Sequence, residues 1–210
     1  MPVDHAPPAT ADTPAEPRQA AAVPATGADA LQALRAATQA IHQRLDSQLP
    51  LARADATLAD YGRHLQAVGA WLQALAPAWD VPGADPAWAG RNAHRLELIA
   101  ADLRDCGLGL PADGVAAVSR ADAPFAWGLA YVVEGSQLGG QMLHRALAPR
   151  FAPHPLRYLR GTGDAADWRG FMQGLRAAVS GPDQVRDATA GAVAGFASLV
   201  GRFEAAGELR

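Results

Sequence analysis

Apolar residues recur at intervals of three and four along most of the chain, which is the spacing that lines one face of an α-helix. The pattern predicts helices over 29–49, 57–77, 91–106, 124–147, 167–179 and 183–206. No stretch alternates apolar and polar residues for long enough to predict a β-strand, and the sequence shows no internal repeat. The predicted fold class is therefore all-α, a single domain of six or more helices.

Residues at the ends of these stretches support the boundaries. Asp29 with Gln32 has the spacing of a capping box at the start of the first helix. Gly107 is placed to end the third helix as a C-terminal cap. Pro124, preceded by Asp122, suits the first turn of the fourth helix.

The remaining segments predict loops and a core-facing last helix. Residues 81–90 are rich in glycine, proline and aspartate, and Trp79 and Trp88 are expected to pack this loop down. Residues 153–163 predict the longest ordered loop. The last helix is expected to bury Val193, Phe196, Leu199, Val200 and Phe203.

The fourth helix contains an unusual density of glycine, in the run Tyr131-Val-Val-Glu-Gly-Ser-Gln-Leu-Gly-Gly-Gln. A glycine inside a helix costs roughly 1 kcal/mol relative to alanine. Gly128, Gly135 and Gly139 lie seven and four residues apart, on one helical face, with Gly140 beside them. Such a face predicts a bend, or the close approach of something flat or bulky, such as a cofactor.

The composition is that of an ordinary globular protein, with 210 residues, half of them apolar, and a net charge of −3. All 18 basic residues are arginines and they are scattered, which argues against a nucleic-acid-binding surface. No run approaches the roughly 18 apolar residues of a membrane span. Cys106 is the single cysteine, which excludes an internal disulfide and a multi-cysteine metal site within this chain. This cysteine usage favours a reducing, cytoplasmic location.

The first 28 residues differ from the rest of the chain. They are rich in alanine and proline, and they lack the basic segment followed by an apolar one that marks a secretory signal. Residues 1–28 are therefore predicted to be a disordered tail, and residues 29–210 the helical domain.

Histidines are the first candidates for chemistry, because an all-α protein with a glycine-lined cleft suits haem and haem iron commonly takes a histidine ligand. His64, His94 and His144 stand among polar residues in predicted helices, which favours solvated surface positions. His42 borders the apolar stripe of the first helix. Its position alone favours a core histidine over a metal ligand.

Other catalytic classes lack their motifs. A di-iron bundle needs Glu-x-x-His motifs on facing helices, and none of the five glutamates has a histidine three residues later. HExxH, GxxxxGK and GxSxG are absent. Ser136 follows a glycine but has no strand-turn-helix context, so a serine hydrolase is not favoured.

Two segments on predicted helices, roughly 90 residues apart, carry a resemblance to a known family. The first is Leu34-Arg35-Ala-Ala-Thr38-Gln-Ala-Ile-His42-Gln-Arg-Leu-Asp46. The second is Glu134-Gly135-Ser136-Gln-Leu138-Gly139-Gly140-Gln141. Together they resemble the proximal helix and the kinked distal helix of the heme oxygenases. The second is most similar to the bacterial branch found with bacteriophytochromes. A weaker likeness in the last helix extends the resemblance over residues 30 to 206.

The resemblance implies that haem lies between these two helices. His42 would be the axial ligand of the haem iron, and Asp46 would orient its imidazole directly or through water. Gly135, Gly139 and Gly140 would bring the distal backbone onto the haem face. A low backbone there would direct oxygen sideways toward a meso carbon and leave room for water.

One position departs from the mammalian branch of the family. An aspartate that organises water follows the first distal glycine there, and this chain has Ser136. A hydroxyl both donates and accepts hydrogen bonds but carries no charge. Proton supply would therefore rest more on water or on another group. The bacteriophytochrome-associated branch resembles this chain at that position. Ser136 is therefore interpreted as a marker of that branch and not as a sign of lost activity.

The two haem propionates would be met by arginines. Arg35, seven residues before His42, is the first choice, and Arg169 and Arg176 are further contacts. Tyr131, one turn before Gly135, would either face the haem edge or belong to the core.

The function implied is haem ring opening with O2 and electrons, giving biliverdin, Fe2+ and CO. The sequence contains no flavin or nicotinamide fingerprint, so the electrons would come from a separate ferredoxin or flavoprotein reductase. A bacteriophytochrome would take up the biliverdin. Two alternatives stay open: a haem or bilin carrier of the same fold, and a cofactor-free, thiaminase-like helical enzyme. The second needs a catalytic cysteine or clustered acids, and Cys106 near a helix end is poorly placed for that role.

Overall fold

The described part of the chain consists of helices joined by short turns, and it contains no strand. The computed structural model describes residues 27–112, 117–118, 120, 122–161 and 165–209. The α-helices are α1 (Gly27–Gln48), α2 (Leu58–Leu75), α3 (Ala87–Asp105), α4 (Ala123–Phe151), α5 (Arg157–Arg160), α6 (Ala165–Ala178) and α7 (Pro182–Ala205). Short 3-10 helices span Pro50–Ala52 and Ala76–Trp79. The all-α prediction is confirmed, whereas nearly all of the predicted tail, 1–28, lies outside the described residues. None of the described helices combines the length and apolar character needed to cross a bilayer.

Local capping interactions explain several helix ends. The side chain of Asp122 accepts a hydrogen bond from the backbone nitrogen of Phe125 at 3.0 Å, so α4 begins where Pro124 predicted. Gly107 has φ +70° just beyond α3, as predicted for a C-terminal cap. The first helix begins earlier than predicted, at Gly27, so Asp29 lies in its first turn and not at its cap.

Three further boundaries differ from the sequence prediction. Helix α3 begins at Ala87, one turn before the predicted start. Helix α4 continues through Pro149 to Phe151, because Phe151 is buried and Arg150 donates to the carbonyl of Ala56 at 2.9 Å, contacts that hold the last turn in place. The predicted loop 153–163 contains the short helix α5, and residues 162–163 lie outside the described part.

Helices α4 and α7 form the centre of the fold and touch backbone to backbone. A Cβ added to Gly128 of α4 would lie 1.8 Å from the carbonyl oxygen of Ala188, and one added to Gly191 of α7 would lie 2.1 Å from that of Phe125. Only glycine permits such an approach. Helix α1 packs on α7 and α6, while α2 packs on α7 and on α3.

The apolar core confirms most of the predicted packing. Trp79 and Trp88 are both buried, with ring centroids 5.7 Å apart, and they hold the segment between α2 and α3. Four of the five side chains predicted to be buried on α7 are buried, but Val193 is 37% exposed. The reason is that the face of α7 toward α4 is made of small residues, including Ala188 and Ala192.

His64 on α2 is buried, and the prediction of a solvated histidine there is wrong. Its residue exposure is 7%, and its ring lies 5.3 Å from that of Phe203. Burial lowers the pKa of His64 to about 4, because the charged imidazolium cannot be solvated in this position.

This burial predicts a pH-dependent stability. The unfolded chain takes up a proton on His64 below about pH 6.5 and the folded chain only below about pH 4. Stability contributed by neutral His64 is therefore present above pH 6.5 and lost as the pH falls between these values. We expect the free energy of unfolding to drop by about 2 kcal/mol more between pH 7 and pH 5 in the native protein than in His64→Leu.

Urea unfolding at both pH values measures this difference. His94→Leu is the matched control, because His94 is exposed on α3, and it should keep the pH slope of the native protein. Equal slopes for the native protein and His64→Leu would show that His64 is not buried in the neutral form.

Candidate functional site

An open cavity of about 620 Å³ lies along α1, and one residue each of α4 and α6 completes its wall. This volume is within the roughly 300–1,000 Å³ typical of small-molecule sites. Four of the residues predicted from the sequence line it: Arg35, His42, Tyr131 and Arg176. They come from three helices that are far apart in the sequence.

His42 stands on the cavity side of α1 with its side chain 63% exposed. The core position favoured by its place in the sequence is therefore wrong. Its Nδ1 lies 2.8 Å from the carboxylate of Asp46, one turn further along α1, and its ring stands edge-on to Phe196 at 6.1 Å. A carboxylate at Nδ1 makes that nitrogen the donor, which leaves Nε2 with a lone pair for a metal ion.

Arg35 and Tyr131 meet across the same cavity. Both residues line it, and burial raises the pKa of the Tyr131 hydroxyl while the positive charge of Arg35 opposes that rise. The Tyr131 ring also lies 6.0 Å from that of Trp168 on α6. The sequence analysis places Tyr131 either at the haem edge or in the core. Its ring packs on α6, as a core residue would, while its hydroxyl is close to an arginine of the cavity wall.

The glycine face of α4 meets a different neighbour at each step. At Gly128 the neighbour is α7. At Gly135 it is Trp168, whose ring would lie 3.7 Å from an added Cβ, and at Gly140 it is Leu159 at 3.6 Å. Around Gly139 no atom of the described part of the chain comes within 4 Å of such a Cβ. The face is thus packed at its start and open at Gly139.

Several predicted residues do not line the cavity. Gly135, Ser136, Gly139 and Gly140 are absent from its lining, as is Arg169, which is exposed on α6. The Ser136 hydroxyl donates to the carbonyl of Val133 at 2.7 Å. The structure therefore brings together the α1 residues, Tyr131 and Arg176, and leaves the glycine face as a separate surface of α4.

The glutamate before the first distal glycine has a role that the sequence did not indicate. Glu134 accepts from Arg95 at 2.6 Å and from Arg91 at 3.2 Å, and both arginines belong to α3. Arg95 is buried, so this pair fixes the middle of α4 to α3. An acid in an otherwise apolar helix predicts a hydrogen-bonding or charged partner. The sequence does not indicate which residue that partner is, because it lies far from Glu134 along the chain.

A buried carboxylate, Asp102 of α3, organises the segment that contains α5. It accepts from the hydroxyl of Tyr61 at 2.6 Å, from Arg157 at 2.9 Å and from the backbone nitrogen of Tyr158 at 2.9 Å. Asp102, Asp105 and His154 place possible metal ligands within 4.8 Å of one another. Arg157 already bridges both carboxylates, so the group is an ion-pair network.

The residues around the cavity fit haem on two structural grounds. His42 presents an imidazole whose Nδ1 is held by Asp46, which is how protein-bound metal ligands are usually oriented. Arg35 and Arg176 add positive charge to the cavity wall for carboxylates. Outside the cavity lining, the open face at Gly139 is a place where a flat group can approach the backbone and where a Cβ would take up space.

Comparisons with known proteins point in the same direction. The chain is 35% identical over 122 residues to a protein of Xanthomonas campestris pv. campestris (strain 8004) named heme oxygenase, covering 57% of this chain and 72% of that protein. Its fold is similar to the solved structure of the NO- and CO-bound heme oxygenase from Neisseria meningitidis, with a TM-score of 0.65, 22% identity, and coverage of 88% of this chain and 94% of that one. No protein-family model matches the chain.

Proposed function

Because the chain belongs to the heme oxygenase family, we propose that it binds haem and opens its ring with O2 and electrons, releasing biliverdin, Fe2+ and CO. Haem serves as both substrate and cofactor and supplies the iron at which O2 is activated. The observation that carries the proposal for this chain is His42 on the wall of a cavity that also presents Arg35 and Arg176, with its Nδ1 2.8 Å from the carboxylate of Asp46.

The proximal side is built on α1. His42 binds the haem iron through Nε2, while Asp46 holds the proton on Nδ1 and keeps the ring from rotating. The pair is one helical turn apart, so the backbone of α1 sets the direction of the imidazole.

The propionates are met at the cavity wall. Arg35 and Arg176 line the cavity from α1 and α6, and Tyr131 adds a hydroxyl beside Arg35. Arg169 is exposed outside the lining, so it meets a propionate only if that group extends beyond the cavity. Because these contacts set the rotation of the haem, they also select the meso carbon that is attacked.

The distal side is the open part of α4. Gly139 leaves room for the haem face, and Gly135 and Gly140 flank it with Trp168 and Leu159 as neighbours. Ser136 supplies a hydroxyl there in place of a carboxylate. With haem bound, these residues would limit the directions open to oxygen, and the Ser136 hydroxyl would offer a hydrogen-bonding group to water on that side.

The partners follow from the same reaction. We propose that the electrons come from a separate ferredoxin or flavoprotein reductase, that turnover takes place in the cytoplasm, and that a bacteriophytochrome takes up the biliverdin. The likeness of the Tyr-Val-x-Glu-Gly-Ser-x-Leu-Gly-Gly run to the bacteriophytochrome-associated branch supports the last point.

Anaerobic titration with hemin, followed by turnover in air with ferredoxin and its reductase, tests the activity. We expect one hemin per chain, loss of the Soret band after O2 is admitted, and a biliverdin isomer on chromatography. Stoichiometric binding with an unchanged Soret band would favour a haem or bilin carrier. Failure to bind hemin would rule out both.

The propionate contacts predict a difference between two arginines on α6. Arg176→Ala should weaken hemin binding about fivefold and alter the isomer ratio of the product, because a partly exposed ion pair contributes about 1 kcal/mol. Arg169→Ala, two turns earlier on the same helix, is the matched control and should change neither. Equal effects of the two substitutions would contradict the assignment of Arg176 to a propionate.

A further inference from the structure

Residues 135–161 form a positively charged stretch in an otherwise acidic chain. They span the second half of α4, α5 and the turn between them, and they include four arginines and no aspartate or glutamate. With histidine neutral, this stretch carries a net charge of +4 in a chain of net charge −3, so the other residues together carry −7. Such a separation of charge indicates a surface for a partner of the opposite sign.

Arg145 and Arg160 are the two arginines of this stretch that the fold leaves unused. Both are exposed, and among the described residues neither has an ion-pair or hydrogen-bond partner. Arg157, by contrast, pairs with two acids of α3, and Arg150 donates to a backbone carbonyl. The charges of Arg145 and Arg160 are therefore available to another molecule.

These two arginines border the same part of α4. A Cβ added to Gly161, the neighbour of Arg160, would lie 3.6 Å from the side-chain nitrogen of Gln141. Arg145 follows Gln141 by four residues, so it lies one turn further along the same face of the helix. The end of α5 thus brings the second charge beside the first.

An exposed apolar strip accompanies these charges. Leu138 is 36% exposed, and Met142, one turn later, is 70% exposed, the largest value among the described large apolar side chains. Arg145 follows Met142 by three residues and shares its face. An apolar centre with a polar rim, enriched in methionine and arginine, is typical of protein–protein interfaces. We call Leu138, Met142, Arg145 and Arg160 the α4–α5 surface.

The α4–α5 surface is next to the place where haem is proposed to approach α4. Leu138 and Met142 flank Gly139, the open position of the glycine face. A protein bound here would lie against the helix that meets the haem, so an electron would have only a short distance to cross. The proposed reaction consumes electrons that this chain has no flavin or nicotinamide motif to supply.

We propose that the α4–α5 surface docks the acidic electron-transfer protein that reduces the haem. Carboxylates of the partner pair with Arg145 and Arg160, and its apolar contact surface covers Leu138 and Met142. Attraction between the positive stretch and a negative partner speeds their encounter, and the apolar contact slows their separation. The assignment of this surface rests on the proposed haem-degrading function.

Binding is tested without haem, by calorimetric titration of the ligand-free full-length protein with an acidic plant-type ferredoxin. We expect the Kd to rise about tenfold in the double variant Arg145→Gln/Arg160→Gln, because each exposed ion pair changes affinity by up to about fivefold. Met142→Gln should weaken binding severalfold through lost apolar contact. Added salt should weaken binding of the native protein more than that of the double variant.

Arg186→Gln is the matched control for loss of charge. Arg186 is exposed on α7, close to Ala188, which contacts α4 at Gly128, far from the α4–α5 surface. This substitution should leave the Kd unchanged, whereas Arg145→Gln alone should raise it. Equal effects of these two single substitutions, or no binding of the ferredoxin to the native protein, would overturn the proposal.

Turnover of the hemin complex separates docking from the site itself. With ferredoxin and its reductase, the double variant should show a KM for ferredoxin about tenfold higher and an unchanged kcat, because only encounter and binding are affected. With ascorbate, a small reductant that needs no docking surface, the variants and the native protein should form bilin at equal rates. Loss of ascorbate-driven turnover in the double variant would place these arginines at the haem and overturn their role in docking.

The two measurements distinguish failure of this proposal from failure of the proposed function. A native protein that forms no bilin with either reductant would contradict the function, while the titration of the ligand-free protein still decides whether the surface binds an acidic partner. Self-association of the native protein in analytical ultracentrifugation, if lost in the double variant, would assign the surface to a second copy of this chain and overturn the proposal. Met142→Gln probes the same surface if the double variant does not fold.

Discussion

Replacing His42 with alanine is expected to remove the histidine-ligated spectrum of the hemin complex and to lower turnover more than about 100-fold. Loss of a residue that only orients a metal ligand costs 10–100-fold in affinity or activity, and loss of the ligand itself costs more. Asp46→Ala, which keeps the ligand but frees its Nδ1, should show the smaller effect, about tenfold, because both side chains are largely exposed. Hemin titration by absorbance and bilin formation measure the two quantities.

The chain offers a close control for this substitution. His94 on α3 is also an exposed helical histidine beside an acid, with Nδ1 3.3 Å from Glu97. His94→Ala should leave the Soret band and turnover unchanged. Added imidazole should restore the spectrum of His42→Ala, because it can occupy the vacated ligand position. An unaltered Soret band in His42→Ala would falsify the assignment of the axial ligand.

Helical periodicity predicted the fold well because the core is built on regular faces. On α1 the buried positions Leu31, Leu34, Thr38 and Leu45 follow the three- and four-residue spacing read in the sequence. The prediction for His64 was wrong because it relied on the adjacent residues in the sequence and not on the residues three and four positions away, which share its helical face. His64 follows a polar arginine, yet Tyr61 and Val68, three and four residues away, are both buried and place it on the apolar face.

The prediction for Val193 on α7 is wrong. This apolar side chain is exposed although the sequence analysis places it in the core. The face of α7 that meets α4 needs small side chains, because the two backbones touch at Gly128 and Gly191. A stripe of small residues in a long helix therefore indicates helix contact as well as ligand contact.

Side-chain contacts of the candidate site were predictable only where both partners lie on one helix. His42 and Asp46 are one turn apart, and the structure places them in direct contact. The partners of this segment of α4 come from elsewhere in the chain: Arg95 of α3 pairs with Glu134, and the hydroxyl of Tyr158 on α5 accepts a hydrogen bond from Gln137. Periodicity carries no information about such contacts, because it describes one helix at a time.

Gly128→Ala is expected to destabilise the fold strongly, although it replaces a poor helix former with the best one. The new Cβ would lie 1.8 Å from the carbonyl oxygen of Ala188, and neither backbone can move without separating α4 from α7. Overpacking of this kind should lower the free energy of unfolding by about 3 kcal/mol and the Tm by roughly 10 °C. Thermal and urea unfolding of the ligand-free protein measure both.

Gly139→Ala, eleven residues further along the same helix, should do the opposite. No described atom lies within 4 Å of its Cβ, so the substitution gains up to about 1 kcal/mol of helix propensity and stabilises the ligand-free fold. In the proposed haem complex the same methyl group would stand between haem and α4, and displacing a reacting group by about 1 Å costs on the order of 100-fold in rate. A stabilised protein with reduced bilin formation is therefore expected, and unimpaired turnover in Gly139→Ala would show that haem does not approach α4 at this position.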